Sequence, residues 1–474
     1  MKAGEAAERL MVEMHRARDE QELPGVAFGL VHAGDPVFFG SYTDPDQPAV
    51  DETTRFRASS LTKSVTAATI LLLRDRGLLD LERPLADFLP WTMSFSPGTE
   101  PIRIRHLLTM TAGLPTDDPW IDELDDLSES DLDSLLAPGA SLCRGPGADY
   151  EYSNVSYALL GRVITQVTGQ DFRDIVEQEV IGPVGLADTG FAVPDALLRA
   201  RGHRLVGGTL AVQEREVALG AFAPSGGLWS SVRDLARWLG SLEAAATGAA
   251  DRGIPPHVAR EMSTPRTVVR LDRRKVADED IAVAHAYGMG LFSSTYSDVG
   301  RVVFHQGGCP GFGAEMRWHP ASRWGVVAMS NRGYPVLQHP ARRTLQAIVA
   351  PDIDRIRSEA LNRTMWPETI HAMEWAETLL ASWDDVEYEK LASVTLDRQR
   401  PRDIRRARVE QVSLDLGTFT RDPESVRSAS PAHALWRVVG DTSDTWIEVL
   451  LTPEVPPRVQ VFDVLNGPDE ARVL

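Results

Sequence analysis

A serine three positions ahead of a lysine, Ser60 and Lys63 within Phe56-Arg57-Ala58-Ser59-Ser60-Leu61-Thr62-Lys63, is the pairing in this chain that most directly suggests chemistry. On a helix that spacing puts both side chains on one face, a turn apart, so a hydroxyl lies beside an amine. A serine hydroxyl is a weak nucleophile until a neighbour takes its proton, and a lysine can take it once burial or a nearby cation lowers its pKa. The helix N-terminus adds a field that favours developing negative charge. The chemistry so assembled is nucleophilic attack by a serine oxygen with a lysine as its base. Two common residues at this spacing recur by chance in chains of such length, so the elements around them must carry the rest of the case.

Residues 60–76 hold Val65, Ala68, Ile70, Leu71 and Leu72 with no internal Gly or Pro, and stop before Gly77. This predicts a buried helix that begins at Ser60 and is capped at Gly77. Upstream, residues 25–32 and 36–42 flank a turn and read as a β-hairpin. Residues 81–188 read as short helices divided by Pro- and Gly-rich turns, with an acidic stretch at 117–133 expected to be a solvated face. A helix fits 234–246, and strand signals return at 301–305, 313–319 and 325–330. The expected class is therefore α+β: within 1–350, an antiparallel sheet built from both ends and flanked by helices, with a helical subdomain inserted at about 81–190.

After Pro351 a polar stretch leads to a helix with Ile370, Met373, Ala376, Leu380 and Trp383 on one face. A helical pattern at 402–416 and β-like segments at 434–439, 445–451 and 458–465 complete a small C-terminal α+β domain, 351–474, without a chemical motif. Its tryptophans, Trp366, Trp375, Trp383, Trp436 and Trp446, are assigned to the core.

A net charge of -19 over 474 residues argues against DNA or RNA as a partner, since nucleic-acid binding needs a basic face. Cys143 and Cys309 stand far apart, outside any zinc or disulfide pattern, which fits a reducing, cytoplasmic compartment. The amphipathic N-terminal residues 1–18 differ from a signal peptide, and no apolar run is long enough for a membrane span. Nucleotide, dinucleotide, zinc-protease and α/β-hydrolase fingerprints do not occur, and neither a metal nor another cofactor is expected.

Downstream of Ser60 come Tyr152-Ser153-Asn154 and His305-Gln306-Gly307-Gly308, together with the stretches 104–114, 224–228 and 287–291. Their order and spacing resemble the class C β-lactamase and penicillin-binding-protein-like serine hydrolases over roughly 24–350. The resemblance implies a cofactor-independent hydrolase of an ester or amide, with Ser60 as nucleophile and Lys63 as base. Tyr152 is the implied proton relay, and Asn154, Gly307 and Gly308 the implied substrate contacts, with the backbone N–H groups of Ser60 and Gly308 as oxyanion hole. His305 stands where β-lactamases proper carry lysine, which points to the esterase, amidase and D-aminopeptidase branch.

Apart from the family, a phenol near a cation can pass protons, and an amide can serve either the lysine's surroundings or a substrate carbonyl. A histidine is expected to be partly charged at neutral pH, so its grip on a carboxylate would be weak and pH-dependent. Short esters or peptide-like amides are thus expected to outcompete β-lactams. The alternative is an acyltransferase or peptide cyclase that hands the acyl group to an amine. Small-molecule or peptide-like substrates follow from either reading, while the oligomeric state is left open.

Overall fold

The computed structural model describes residues 1–89, 100–124, 126–213, 220–249, 252–276, 279–353, 355–356 and 364–472. Part of the polar stretch after Pro351 lies outside them. The chain forms two compact units, Met1–Pro351 and Asp352–Leu474.

The first unit is built on an eight-stranded antiparallel sheet. From one edge its strands run Asp35–Thr43, Gly25–His32, Trp324–Ser330, Phe312–His319, Gly300–Cys309, Phe292–Tyr296, Glu279–Tyr287 and Thr267–Val276. Val26 pairs with Ser330 and His32 with Trp324, so the N-terminal hairpin closes onto the last strand and the sheet joins both ends of the unit. This is the α+β arrangement expected from the sequence. The three strands within 267–296 were not among the expected ones. In Thr267–Val276, Arg270, Asp272 and Arg273 break the apolar alternation, as the last strand of the sheet can tolerate.

Every residue of Phe312–His319 and Trp324–Ser330 is buried, which requires cover on both faces of the central sheet. Helices Ala3–Gln21 and Gln338–Val349 pack on it, as does Val232–Thr247, whose Leu239 lies against Gly325. Inserted between the halves of the sheet are the helices Ile104–Leu108, Asp118–Glu123, Glu129–Leu136, Asn154–Thr168 and Phe172–Val176. The helix Thr62–Asp75 is buried along nearly its whole length.

Ser60 itself sits on a short 3-10 turn, Ser59–Leu61, that leads into this helix; Ser59 has φ +50, a left-handed conformation costly for a serine. The turn is fixed by its neighbours. Ala58 N–H donates to Leu228 O, Thr62 Oγ1 donates to Ser59 O, and Leu228 N–H donates to Thr62 Oγ1. Gly307 lies so near that a Cβ there would stand 2.5 Å from Ala58 O. Only glycine lets the strand carrying His305 run this close to the Ser60 turn.

The second unit has the helices Pro367–Ala381, Asp385–Leu391, Val394–Gln399 and Arg402–Leu416, and a four-stranded antiparallel sheet. Trp375, Leu379, Tyr388, Trp436 and Phe462 form its own core. Ile370 and Trp366, expected to be buried, are 44% and 43% exposed, because the buried stripe of the helix is carried by Thr369, Ala372, Met373, Trp375, Ala376, Leu379 and Leu380. Among the described residues no helix is long and apolar enough to cross a membrane.

Helix Asn154–Thr168 meets the turn Ala223–Gly226 at Gly161, where a Cβ would lie 2.1 Å from Pro224 Cγ. Gly161→Ala is expected to cost about 1–3 kcal/mol. Thermal or urea unfolding checks this against Gly4→Ala, which meets nothing within 4 Å and should be neutral or slightly stabilising.

Candidate active site

Ser60, Lys63 and Tyr152 converge although they come from separate elements. Lys63 Nζ lies 3.1 Å from Ser60 Oγ, one helical turn away, and Tyr152 Oη donates to the same Oγ at 3.0 Å. Tyr152 is carried by the extended segment that leads into helix Asn154–Thr168.

Lys63 is fully buried. Its Nζ donates to Asn154 Oδ1 at 2.5 Å and to Ser225 O at 2.9 Å. Burial lowers its pKa to about 7, against the opposing pull of the Asp118 and Asp117 carboxylates. A neutral amine has two N–H groups and one lone pair. With the N–H groups held by Asn154 and Ser225, the lone pair is left facing the Ser60 hydroxyl. The rings of Tyr152 and Tyr157, 5.0 and 5.7 Å from Nζ, line the same pocket.

Asn154 is buried with both ends of its amide engaged. Its oxygen accepts from Lys63, and its nitrogen donates to Asp117 Oδ1 at 2.8 Å and Asp118 Oδ1 at 2.6 Å. The amide therefore bridges the lysine to two carboxylates, and its donor is not turned toward a substrate carbonyl. Asp117 also accepts from the backbone N–H groups of Asn154 and Val155 and from Ser153 Oγ, so it caps the helix that holds Asn154. Here the sequence expectation fails. The acidic stretch was read as a solvated face, yet Asp117 is only 7% exposed and is part of the lysine's scaffold.

His305 is buried against Phe292 and Tyr287, with ring centroids 5.3 and 6.3 Å away. Nδ1–H donates to Gln306 O at 2.8 Å, which leaves Nε2 as a lone-pair acceptor, buried and without a hydrogen-bond partner among the described residues. Burial, reinforced by the Lys63 charge, lowers its pKa to about 3. The expected partial charge at neutral pH is thus corrected: the imidazole is neutral, and it offers an acceptor in place of a cationic grip on a carboxylate.

Two cavities meet at Ser60. One, of about 580 Å³, is lined by Asn154, Ser225, Arg57, Arg199 and Trp229, among others. The other, of about 370 Å³, is lined by Tyr150, Tyr152, Phe292, His305 and Gly307. Ser60, Asp118, Gly308 and Tyr334 line both. All seven residues singled out in the sequence, Ser60, Lys63, Tyr152, Asn154, His305, Gly307 and Gly308, therefore fall in one region.

Missed were Asp117, Asp118, the Ser225 carbonyl and the Tyr287 and Phe292 rings. A backbone carbonyl leaves no side-chain signature, and the two acids lie 37 and 36 positions before Asn154 with no spacing rule to tie them to it.

The chain belongs to the Beta-lactamase family, which matches residues 9–350. Among curated relatives it is similar to Protein flp of Staphylococcus aureus (strain COL), 26% identical over 321 residues, covering 65% of this chain and 60% of that protein. It is also similar to Esterase EstB of Burkholderia gladioli, 32% identical over 206 residues, covering 40% of this chain and 52% of that one. The chain thus spans 60% or less of the length of these relatives. In fold it is similar to the octameric penicillin-binding protein homologue from Pyrococcus abyssi, with a TM-score of 0.63 and 19% identity over 96% of this chain and 92% of that one.

Asp118 acts on Lys63 by holding a negative charge near the ammonium, so its removal must disfavour the charged form. Asp118→Asn, which can still accept from Asn154, is expected to lower the Lys63 pKa below its value of about 7, by about one pH unit. Titration of the Lys63 ε-methylene by NMR reads this directly; an unchanged or raised pKa would contradict the assignment.

Proposed function

We propose that residues 1–350 form the catalytic domain of a serine hydrolase that cleaves an ester or amide through an acyl-Ser60 intermediate, and that 351–474 are an accessory domain. The observation that carries this reading is the desolvated Lys63 amine, its two N–H groups engaged and its nitrogen 3.1 Å from Ser60 Oγ.

As Ser60 Oγ forms its bond to the substrate carbonyl carbon, its proton passes to the neutral Lys63 nitrogen. The tetrahedral oxygen would be met by the backbone N–H groups of Ser60 and Gly308, residues that line the junction of both cavities. Collapse breaks the bond to the leaving group, which takes a proton relayed from Lys63 through Tyr152. Burial raises the Tyr152 pKa well above its ordinary value, so this phenol works as a neutral O–H and not as a standing phenolate. Water then attacks the ester carbonyl and gives a proton to Lys63; collapse breaks the bond to Ser60 Oγ, which takes that proton back as the acid is released.

On the His305 side, the free Nε2 acceptor suits a leaving group that carries an N–H or O–H. It gives no support to a carboxylate anchor there, so esters and peptide-like amides are favoured over β-lactams. Esterase EstB is a relative whose named activity agrees with this reading. The roomy second cavity beside Ser60 supports the other use of the same intermediate, transfer to an amine acceptor. Two unpaired thiols, Cys143 and Cys309, support a reducing cytoplasmic setting.

Intact-mass spectrometry after brief exposure to an activated ester is expected to show one acyl adduct on the wild type and none on Ser60→Ala. Lys63→Ala should slow adduct formation by about a hundred- to ten-thousand-fold. Equal adduct on wild type and Ser60→Ala would remove the nucleophile assignment.

A further inference from the structure

The smaller cavity at Ser60, about 370 Å³, has hydrogen-bond acceptors and aromatic rings in its lining, and no arginine or lysine among its described lining residues. His305 is 1% exposed, and its Nδ1–H is engaged by Gln306 O, so the buried Nε2 is a lone pair without a donor. Such an acceptor is unfavourable until a ligand N–H or O–H reaches it. Asp118 engages one carboxylate oxygen with Asn154 Nδ2 at 2.6 Å, and its other oxygen has no hydrogen-bond partner among the described residues. Phe292 lies 5.3 Å from the His305 ring and 6.4 Å from that of Tyr150, and both Phe292 and Tyr150 line the cavity. Aromatic faces attract cations.

This lining discriminates between the groups that could enter. A carboxylate would set a second anion beside Asp118 and a lone pair against His305 Nε2. A hydroxyl gives His305 its donor but leaves the Asp118 charge without a counter-ion from the ligand. A primary ammonium has N–H groups for both and a charge for the rings. Lys63 is not a lining residue, and its own N–H groups are turned to Asn154 and Ser225. Tyr152, the relay to the leaving group, lines this cavity and not the larger one, which makes the smaller cavity the leaving-group side.

We propose that the smaller cavity is a leaving-group subsite for a primary ammonium, with Asp118 and His305 as its specificity-determining residues. The substrates are then esters or amides whose alcohol or amine half carries a further, protonated amino group. This rests on the acyl-Ser60 reading above and names the class of leaving group. The ammonium takes no part in the bond exchange: the acyl carbon passes from the leaving oxygen or nitrogen to Ser60 Oγ, and the leaving atom takes the proton relayed by Tyr152.

The test compares kcat/KM for para-(aminomethyl)phenyl butyrate, protonated at neutral pH, with that for para-(hydroxymethyl)phenyl butyrate, which has the same acyl group and no charge. The wild type should favour the ammonium ester by at least about tenfold. Asp118→Asn should bring the ratio to within about twofold of one; both esters meet the same Lys63, so a change in that base cancels. In parallel, calorimetry on Ser60→Ala should show para-(aminomethyl)phenol binding at least about tenfold tighter than para-(hydroxymethyl)phenol. Adding Asp118→Asn should abolish the difference, while adding His305→Leu should weaken the amine by about tenfold and His305→Gln, which keeps an acceptor, by less. If both esters turn over equally and the two phenols bind alike, the subsite is refuted while the hydrolase reading stands. An amine preference untouched by Asp118→Asn and His305→Leu refutes it too. If neither ester acylates the protein but amine binding depends on Asp118 and His305, the subsite stands and the hydrolase reading falls.

Discussion

An amine taken fully out of water must either lose its proton or be surrounded by groups that hold its charge, since the bare desolvation cost of an ammonium is several kcal/mol. At Lys63 the fold provides a balance of the two. Burial pushes toward the neutral form, Asp117 and Asp118 push back, and the result near 7 leaves both protonation states within reach. A catalytic base is most useful at this point, because it must accept a proton in one step and return it in the next. Much of the surrounding architecture serves that one nitrogen: the Asn154 bridge, the Ser225 carbonyl and the Asp117 cap that fixes the helix carrying Asn154.

The same constraint explains why the packing is so close around Ser60. Gly161 lets helix Asn154–Thr168 press against the turn that presents Ser225, and Gly307 lets the His305 strand pass the turn that carries Ser60. Ser59 is held at φ +50 by the bonds that pin this turn, and its hydroxyl donates to Cys309 Sγ at 2.9 Å on the strand beyond Gly308. Backbone strain of this kind persists only where neighbours over-determine it. Ser60 is thereby left part-exposed at the junction of two cavities, while Lys63 remains buried.

The sequence was legible where chemistry and periodicity coincide. Ser60 and Lys63 declare themselves by one helical turn, and the strands at 25–32, 313–319 and 325–330 by their apolar runs. Tyr152, Asn154 and His305 were reached through resemblance, since no local rule links residues so far apart in the chain. What stayed hidden depends on environment. Asp117 reads like any solvated acid until the fold places it at a helix start, and His305 reads as a pH-responsive group until Phe292 and Tyr287 enclose it. The outermost strand, Thr267–Val276, was missed because the edge of a sheet can afford charges that a central strand cannot.

The central claim is that a neutral Lys63 takes the Ser60 proton, and the pH dependence of the acylation rate constant tests it most directly. Rapid-mixing measurements with an activated ester, from about pH 5 to about pH 9, should show the rate rising with a single ionisation near 7 and then levelling, because only the deprotonated amine accepts a proton. His305, at about 3, should leave no inflection in that range. A rate that is flat through neutrality, or that falls as the pH rises through 7, would contradict the account.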